Sequence, residues 1–398
     1  MTVETTPRRR LLVVAPAAAL VLVALCLRGP FSAVGPVLDS VGRELSLPTA
    51  VLAVVTSLPL VCFGLLSPLA PVVATRLGLH RAVLAGTVVL AVGIGARLAG
   101  PVGLFAGTVL LSAGIALVNV LLPALARAEY GTRSAAVIGA TTGSMALSAS
   151  LGAGLAQPLA DATGSAIGGL TLWVLPVLAA TVALALLARG RPERAAAPPP
   201  VARRTAILRD RVALAVMLFF GLQSLTFYAM LTWLPGILES DAGLSPAAAG
   251  GLLAVAAVLG APLSLVVPPL ATRRPGQGAW IVGSAAAMVI AVGGLLLAPA
   301  AAPAVWALLF GAGTGVAFPL AMTLVLVRSR DVAQTGRLSA AAQSLGYLLA
   351  ATGPLALGLL HQLTGGWRAG LVLLLAVLVA QVIAGLAAAR PRLVDETA

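Results

Sequence analysis

The 398-residue sequence is poor in charged residues, and its basic residues include no lysine. Only 9% of residues are charged and 60% are hydrophobic, whereas ordinary soluble domains carry about 25% charged residues. So few charges cannot make a surface polar against water, and the composition therefore excludes a soluble fold. The mean hydropathy of +1.06 instead predicts an all-α integral membrane protein whose solvent is mostly lipid.

Cysteines and catalytic motifs are also scarce. The two cysteines, Cys26 and Cys62, lie inside apolar runs, which favours small buried apolar residues over a disulfide or metal framework. The sequence has no glycine-rich phosphate loop followed by lysine, no paired histidines for zinc and no nucleophile elbow. We therefore expect no enzymatic activity, no metal and no cofactor.

Twelve apolar runs bounded by arginine, glycine or proline predict twelve transmembrane helices. The predicted spans are 11–38, 49–74, 82–98, 101–126, 134–160, 166–188, 212–238, 246–271, 279–298, 302–327, 337–361 and 367–389. One low-complexity stretch combines prolines with arginines, which prevents a lipid-buried helix there. The sequence therefore predicts a first six-helix bundle at 1–188, a linker at 189–211 and a second bundle at 212–398.

The two predicted bundles resemble each other in sequence. Four short motifs of the first bundle recur in the second at offsets of 197 to 201 residues. For example, Ala74-Thr75-Arg76 recurs as Ala271-Thr272-Arg273. The common order and nearly constant offset predict two parallel six-helix repeats.

Arginines are distributed unequally between the two sides of the predicted membrane. Of the 25 arginines, 21 fall in segments on the side of the N-terminus, while Arg43, Arg97 and Arg368 fall on the other side. This asymmetry predicts a bacterial inner (plasma) membrane protein with both termini and the linker in the cytoplasm. Contact with anionic inner-leaflet lipids accounts for the net charge of +13 without a nucleic-acid partner.

Arg28 is the one arginine that is assigned to neither side, because it lies well inside a predicted span. It lies 17 residues after Leu11 and 11 before Asp39, about 25 Å and about 16 Å along a helix, too deep for its head group to reach water. A central membrane arginine costs about 2.5 kcal/mol or more unless it faces a cavity or a partner. Because no acidic residue lies at membrane depth, an anionic or strongly dipolar substrate could complete the pair. The alternative is that Arg28 braces the bundle through hydrogen bonds.

Three amides inside spans are further candidates for substrate contact. Asn119, Gln223 and Gln343 could orient a small polar solute or could hydrogen-bond between helices. In the seventh span, Gln223 and Phe227 share one helix face and Tyr228 lies on the adjacent face. These residues could line a compact pocket, and ordinary packing is the other interpretation.

Several segments resemble the cyanate and 2-nitroimidazole transporter family of the major facilitator superfamily. The matching segments include Leu27-Arg28-Gly29-Pro30, Phe219-Phe220-Gly221-Leu222-Gln223-Ser224, Trp233-Leu234-Pro235 and Gln343 with Gly346-Tyr347-Leu348. The resemblance implies two pseudo-symmetric halves, alternating access around a central cavity, and cavity roles for Arg28, Asn119, Gln223, Tyr228 and Gln343. The superfamily's Gly-x-x-x-Asp-Arg-x-Gly loop is altered, since Pro71 and Thr75 replace its first glycine and its aspartate.

The sequence thus predicts a monomeric secondary active or facilitative transporter that binds a small-molecule substrate in the lipid bilayer. The solute is expected to be small and anionic or polar, either cyanate-like or nitroimidazole-like. A proton-coupled exporter of drug-like compounds is the alternative within transport. A membrane receptor or enzyme is less favoured, because the longest inner segment is too short and too rich in proline and alanine for a soluble domain. Since no acid or histidine lies at membrane depth, proton dependence would come from the solute itself.

Overall fold

The computed structural model describes residues 17–188 and 207–395, whose regular structure is entirely helical. Twelve membrane-spanning helices follow one another in chain order. They are α1 Ala17–Leu45, α2 the bent pair Thr49–Leu66 and Leu69–Leu77, α3 Leu79–Ala96, α4 Gly100–Tyr130, α5 Ser134–Thr163, α6 the pair Ala166–Thr171 and Val174–Ala188, α7 Arg211–Ser240, α8 Pro246–Ala271, α9 Gly278–Leu297, α10 Pro303–Val327, α11 Val332–Thr364 and α12 Arg368–Ala388.

Each predicted span coincides with one of these helices, including the two spans with the shortest separations. Helix α4 begins at Gly100, and the turn after α5 contains Gly164. Both glycines have positive φ angles, 72° and 66°, which a residue without a Cβ adopts at little cost. The two narrow divisions in the sequence are therefore confirmed.

The prediction of one continuous first helix over 11–38 is wrong within the described residues. Helix α1 is interrupted by turns at 26–28 and 33–34, with a short helix at Gly29–Ser32 between them. Pro30 and Pro36 follow glycines here, and proline cannot donate the backbone hydrogen bond that would continue the helix. We call residues 26–34 the α1 break.

The second predicted span is bent, and the first span and the linker are only partly described. The second span is bent by 58° between its two helices, with Ser67 and Pro68 at the bend. Residues 11–16 of the first span and most of the predicted linker lie outside the described residues. The last residues of that linker are described, and there Asp210 caps α7 by accepting a hydrogen bond of 2.8 Å from the backbone of Ala213.

One end of the bundle is formed by the C-terminal ends of α2, α4, α8, α10 and α12. We call this end the arginine-rich face. There, His80 and Glu129 join α3 to α4 at 2.9 Å. Arg328 donates to the carbonyls of Ala388 at 2.7 Å and Ala389 at 2.9 Å, which ties α10 to α12. Burial lowers the pKa of the Arg328 guanidinium below its ordinary value.

The two halves are joined at the arginine-rich face. Arg127 at the end of α4 donates to the carbonyls of Leu326 at 2.6 Å and Arg330 at 2.8 Å, beside the turn between α10 and α11. Nearer the membrane centre, Ser344 of α11 donates to the carbonyl of Gly64 of α2 at 2.6 Å. These hydrogen bonds hold the halves together at that face.

Helices α5 and α8 separate towards the opposite face. A Cβ atom on Gly143 would lie 2.7 Å from the Leu265 side chain and 3.2 Å from the Ala261 carbonyl oxygen. Gly154 lies about three turns further along nearly the same face of α5, and Gly250 about three turns before Ala261 on α8. A Cβ atom on either glycine would have no neighbour within 4 Å among the described residues. At α5 and α8 the halves are therefore in contact towards the arginine-rich face and apart at the opposite face.

Candidate functional site

The Arg28 side chain leaves the α1 break and crosses to the second half. Its Nη1 donates to the hydroxyl of Tyr228 on α7 at 2.7 Å, and its Nη2 donates to the hydroxyl of Tyr347 on α11 at 3.2 Å. Its Cζ lies 5.7 Å from the ring centroid of Phe318 on α10, within cation–π distance. One guanidinium therefore contacts three helices of the other half.

A second layer of polar side chains adjoins Arg28 through Tyr347. Asn119 on α4 donates from Nδ2 to Gln343 Oε1 at 2.8 Å and to the Tyr347 hydroxyl at 3.2 Å. Gln343 in turn donates to Ser339 Oγ at 2.9 Å. The Tyr347 hydroxyl thus accepts from both Arg28 and Asn119, and so joins two helices of the first half to α11.

Aromatic rings surround these polar groups. The Tyr347 ring lies between Phe63 at 5.2 Å and Phe220 at 5.3 Å, centroid to centroid. Further ring contacts of 5.1 to 6.3 Å extend the cluster on both sides. We call it the aromatic cage, and it comprises Phe31, Phe63, Phe220, Phe227, Tyr228, Phe318 and Tyr347. In a chain with only 4% aromatic residues, this concentration favours a planar ligand that stacks against rings.

The site carries a positive charge with no acidic partner. None of the aspartates and glutamates that the structure describes is buried, and the hydrogen-bond partners of Arg28 are two neutral phenols. A half-buried cation with neutral partners retains an attraction for an anion or for the negative end of a dipole. Among the described residues, the side-chain hydrogen bonds of Arg28 go to no carboxylate.

The structure brings most of the predicted site residues together. Arg28, Tyr228, Asn119 and Gln343 belong to one hydrogen-bonded cluster, and the Phe227 ring lies 5.1 Å from that of Tyr228. For Asn119 and Gln343, both interpretations of the amides are compatible with this geometry, because they hydrogen-bond between helices beside the cage.

Gln223 is set apart from this cluster, although its side chain is buried. Its amide nitrogen donates to the Phe220 carbonyl at 3.1 Å and to Ser224 Oγ at 2.7 Å, both on its own helix. A role for Gln223 in substrate binding stays a prediction.

Two residues of this region were not predicted as functional from the sequence. Tyr347 lies one helical turn after Gln343 on the same face of α11, and this spacing is a signal that could have identified it. Arg97 was counted among the arginines of the outer side, but its side chain is 1% exposed and donates to the Pro30 carbonyl at 3.1 Å. Arg97 thus lies in the turn between α3 and α4, and the Pro30 carbonyl holds its guanidinium inside the bundle.

A crevice extends from the cage towards the arginine-rich face. Its cavity volume is about 10 Å³, room for about one water molecule. It is lined by Asn119, Leu122, Pro123, Ile138, Thr141, Thr142, Met145, Phe318 and Met322. The small volume agrees with halves that are closed together at this end.

Titratable groups of the opposite face lie outside the cage. Glu44 accepts hydrogen bonds from Ser165 Oγ at 2.6 Å and from the Ala166 backbone at 2.7 Å, and so caps α6. The His361 ring stacks on Trp367 at 3.9 Å. Within the described ranges, no group of three or more histidine, cysteine, aspartate or glutamate residues could hold a metal ion.

Comparisons with known proteins agree with this architecture. A family model described as Major Facilitator Superfamily matches residues 20–354. The 2-nitroimidazole transporter of Escherichia coli (strain K12) is 36% identical over 381 residues, which cover 94% of this chain and 95% of that protein. The cyanate transport protein CynX of the same organism is 25% identical over 351 residues, covering 87% of this chain and 90% of the relative.

A solved structure shares the fold at low sequence identity. The proton:xylose symporter XylE, bound to 6-bromo-6-deoxy-D-glucose, superposes with a TM-score of 0.76 at 12% identity. The match covers 93% of this chain and 94% of that structure. At this identity the likeness concerns the helical architecture alone.

Proposed function

The chain belongs to the Major Facilitator Superfamily, and on that premise we propose that it carries a small planar solute with a negatively charged or strongly polar oxygen pair, such as a nitroimidazole. The protein is a multi-pass membrane transporter of small solutes that works by alternating access.

The pairing of Arg28 with two neutral phenols supports this substrate class. A guanidinium presents parallel N–H donors that match two oxygens on one planar group. A nitro or carboxylate group would replace the phenols at Arg28, and its ring would stack within the aromatic cage. Cyanate-like anions would satisfy the charge of Arg28 but would leave the rings of the cage without a stacking partner.

The shape of the bundle supports a first contact of solute from the opposite face. The halves spread there, whereas Arg127 holds them together at the arginine-rich face. We assign the arginine-rich face to the cytoplasm from the distribution of the 25 arginines. The described shape would then receive solute from outside, and release to the cytoplasm would require the Arg127 hydrogen bonds to break.

The absence of buried acids among the described residues supports transport without a protein-borne proton relay. Asp161 accepts a hydrogen bond of 2.7 Å from Gln157 at an exposed helix end, and Glu44 is engaged as a helix cap. Uniport, exchange, or proton movement on the solute itself follows as the proposed coupling.

Competition for uptake tests the substrate class. Purified protein in proteoliposomes is given radiolabelled 2-nitroimidazole, together with unlabelled 2-nitroimidazole, imidazole or cyanate. Imidazole keeps the ring but lacks the oxygens, while cyanate keeps the charge but lacks the ring. We expect only 2-nitroimidazole to compete strongly. Equal competition by cyanate would show that the cage contributes nothing, and competition by imidazole would show the same for the oxygen pair.

A further inference from the structure

A side chain from α5 is inserted into the backbone of α1 immediately before Arg28. In a continuous helix, the Gly29 N–H would donate to the Leu25 carbonyl. Here it donates to Ser148 Oγ at 2.7 Å, and Ser148 Oγ donates to the Leu25 carbonyl at 2.5 Å. An inserted hydroxyl of this kind opens a helix at one place. The Ser148 hydroxyl thus separates the Leu25 carbonyl from the Gly29 N–H and keeps the helix open at this turn.

A buried arginine from α3 holds the chain on the other side of Arg28. The carbonyl of Pro30 would accept from the Val34 N–H in a continuous helix, but Val34 donates to Phe31 at 3.3 Å. Arg97 Nη1 donates to the free Pro30 carbonyl at 3.1 Å, and its Nη2 donates to Thr108 Oγ1 at 3.4 Å.

The burial of Arg97 is costly for the contacts that it makes. The side chain is 1% exposed, and its Nε has no hydrogen-bond partner among the described residues. An uncompensated buried cation destabilises a fold. Arg97 contacts one carbonyl and one hydroxyl, and an uncharged donor could make both contacts. These contacts alone therefore do not account for a buried positive charge at this position.

Close packing leaves the α1 break little freedom to move. A Cβ atom on Gly152 of α5 would lie 2.5 Å from the Gly29 carbonyl oxygen and 2.6 Å from Ser32 Oγ. Ser32 also donates to the Arg28 carbonyl at 2.8 Å and to the Ala149 carbonyl at 3.0 Å. The backbone carbonyl of Arg28 is thereby held against α5.

We propose that Arg97 and Ser148 are positioning residues that keep α1 unwound around Arg28 and so direct its guanidinium to Tyr228 and Tyr347. The inference rests on the proposed function, because the group that they position is the proposed substrate ligand. In a continuous helix, successive residues are rotated by about 100° around the helix axis. If α1 closed into such a helix, the Arg28 side chain would turn away from the two phenols.

The three tyrosines of the chain provide a readout that does not depend on substrate. With 3-fluorotyrosine incorporated, Tyr228 and Tyr347 report the hydrogen bonds of Arg28, while Tyr130 at the end of α4 serves as an internal reference. The Arg28→Gln variant defines the fluorine resonances of both site tyrosines without the guanidinium. We expect Ser148→Ala and Arg97→Gln to move these two resonances towards those positions and to leave that of Tyr130 unchanged.

Two matched variants separate positioning from a general loss of packing. Ser150→Ala makes the same substitution two residues along α5, where the hydroxyl bonds only to Ala146 of its own helix at 3.3 Å. Arg328→Lys alters a second buried arginine that bonds to backbone carbonyls, but at the arginine-rich face. Neither should move the site resonances. Arg97→Lys should restore them in part, because an ammonium can still donate to the Pro30 carbonyl.

Binding of 2-nitroimidazole to the same variants distinguishes the two proposals. We expect Ser148→Ala and Arg97→Gln to raise its Kd about tenfold, equivalent to about 1.4 kcal/mol. Site resonances that stay at the parent positions in both variants would overturn the positioning role, whatever the substrate. Shifted resonances in a protein whose parent does not bind the probe would leave positioning intact and refute the proposed substrate. If Arg97→Gln does not fold, Ser148→Ala alone decides.

Discussion

Replacing Arg127 should release the two halves at the arginine-rich face. Its two hydrogen bonds to the carbonyls of Leu326 and Arg330 measure 2.6 and 2.8 Å. Each charged hydrogen bond contributes about 1.5 to 3 kcal/mol when buried, and the partial exposure of Arg127 reduces that contribution by roughly half. We therefore expect Arg127→Gln to cost the closed shape about 1.5 to 3 kcal/mol relative to the shape open at this face, or about a tenfold to 150-fold shift in population.

Thiol labelling at two positions measures this shift. Single cysteines are placed at Met322, which lines the crevice and is 3% exposed, and at Gly154, which has open space at the opposite face. Cys26 and Cys62 are first replaced by alanine. In nanodiscs, which expose both faces, Arg127→Gln should raise the rate of maleimide labelling of Met322→Cys about tenfold and should slow that of Gly154→Cys.

Arg133 supplies the control for this experiment. It is an exposed arginine on the short turn that follows α4, six residues after Arg127, so Arg133→Gln removes the same charge without removing the bonds between the halves. Its labelling rates should equal those of the parent. If Arg127→Gln also labels at the parent rates, the two carbonyl hydrogen bonds do not hold the halves together, and the reasoning is refuted.

Three further predictions concern orientation, a helix cap and coupling. For orientation, single cysteines are placed in the cysteine-free background at Thr2, Ala196 and Thr397. If these positions are cytoplasmic, they should resist an impermeant thiol reagent in intact cells. Labelling of any one of them would contradict the topology. Glu44→Gln should lower the free energy of unfolding by about 1 kcal/mol through loss of the α6 cap, with no change in the Kd of the solute, and an unchanged melting temperature relative to the parent would refute the cap. For coupling, the outer titratable groups are neutralised one at a time; they are Asp39, Asp161, Glu239 and His361. Each variant should still accumulate solute when a pH gradient is imposed. A variant that exchanges solute but no longer accumulates it would reveal a proton carrier.

The transmembrane organisation could be predicted from the sequence because lipid imposes it on every residue of a span. Hydropathy and the intervening arginines mark the twelve helices, and depth alone identifies Arg28 as a costly residue that needs a partner. The glycine-proline pairs at Gly29 and Gly35 indicate a break in α1, but the apolar residues around them sustain the hydropathy signal. A continuous span was therefore expected where the backbone is open.

The partners of the polar residues could not be predicted from the sequence, because tertiary packing decides them. Arg97 follows α3 in a short turn, and nothing local shows that the released carbonyl of Pro30 holds its guanidinium inside the bundle. Gln223 and Gln343 are the same residue type within spans, yet one bonds to its own helix and the other reaches Asn119 across the halves. Depth in the membrane identified both amides, and the packing of α11 against α4 distinguishes them.

The central claim is that Arg28 binds the solute, and the affinity of Arg28 variants for 2-nitroimidazole tests it most directly. Isothermal titration calorimetry of the purified protein should give Arg28→Gln a Kd at least tenfold above that of the parent, since one charged hydrogen bond contributes about 1.5 kcal/mol or more. Arg28→Lys should lie between them, because a compact ammonium cannot reproduce the guanidinium fork. Arg43→Gln, at the exposed outer end of α1, should bind like the parent. Binding by Arg28→Gln within error of the parent would contradict the claim and leave Arg28 as a brace between the halves.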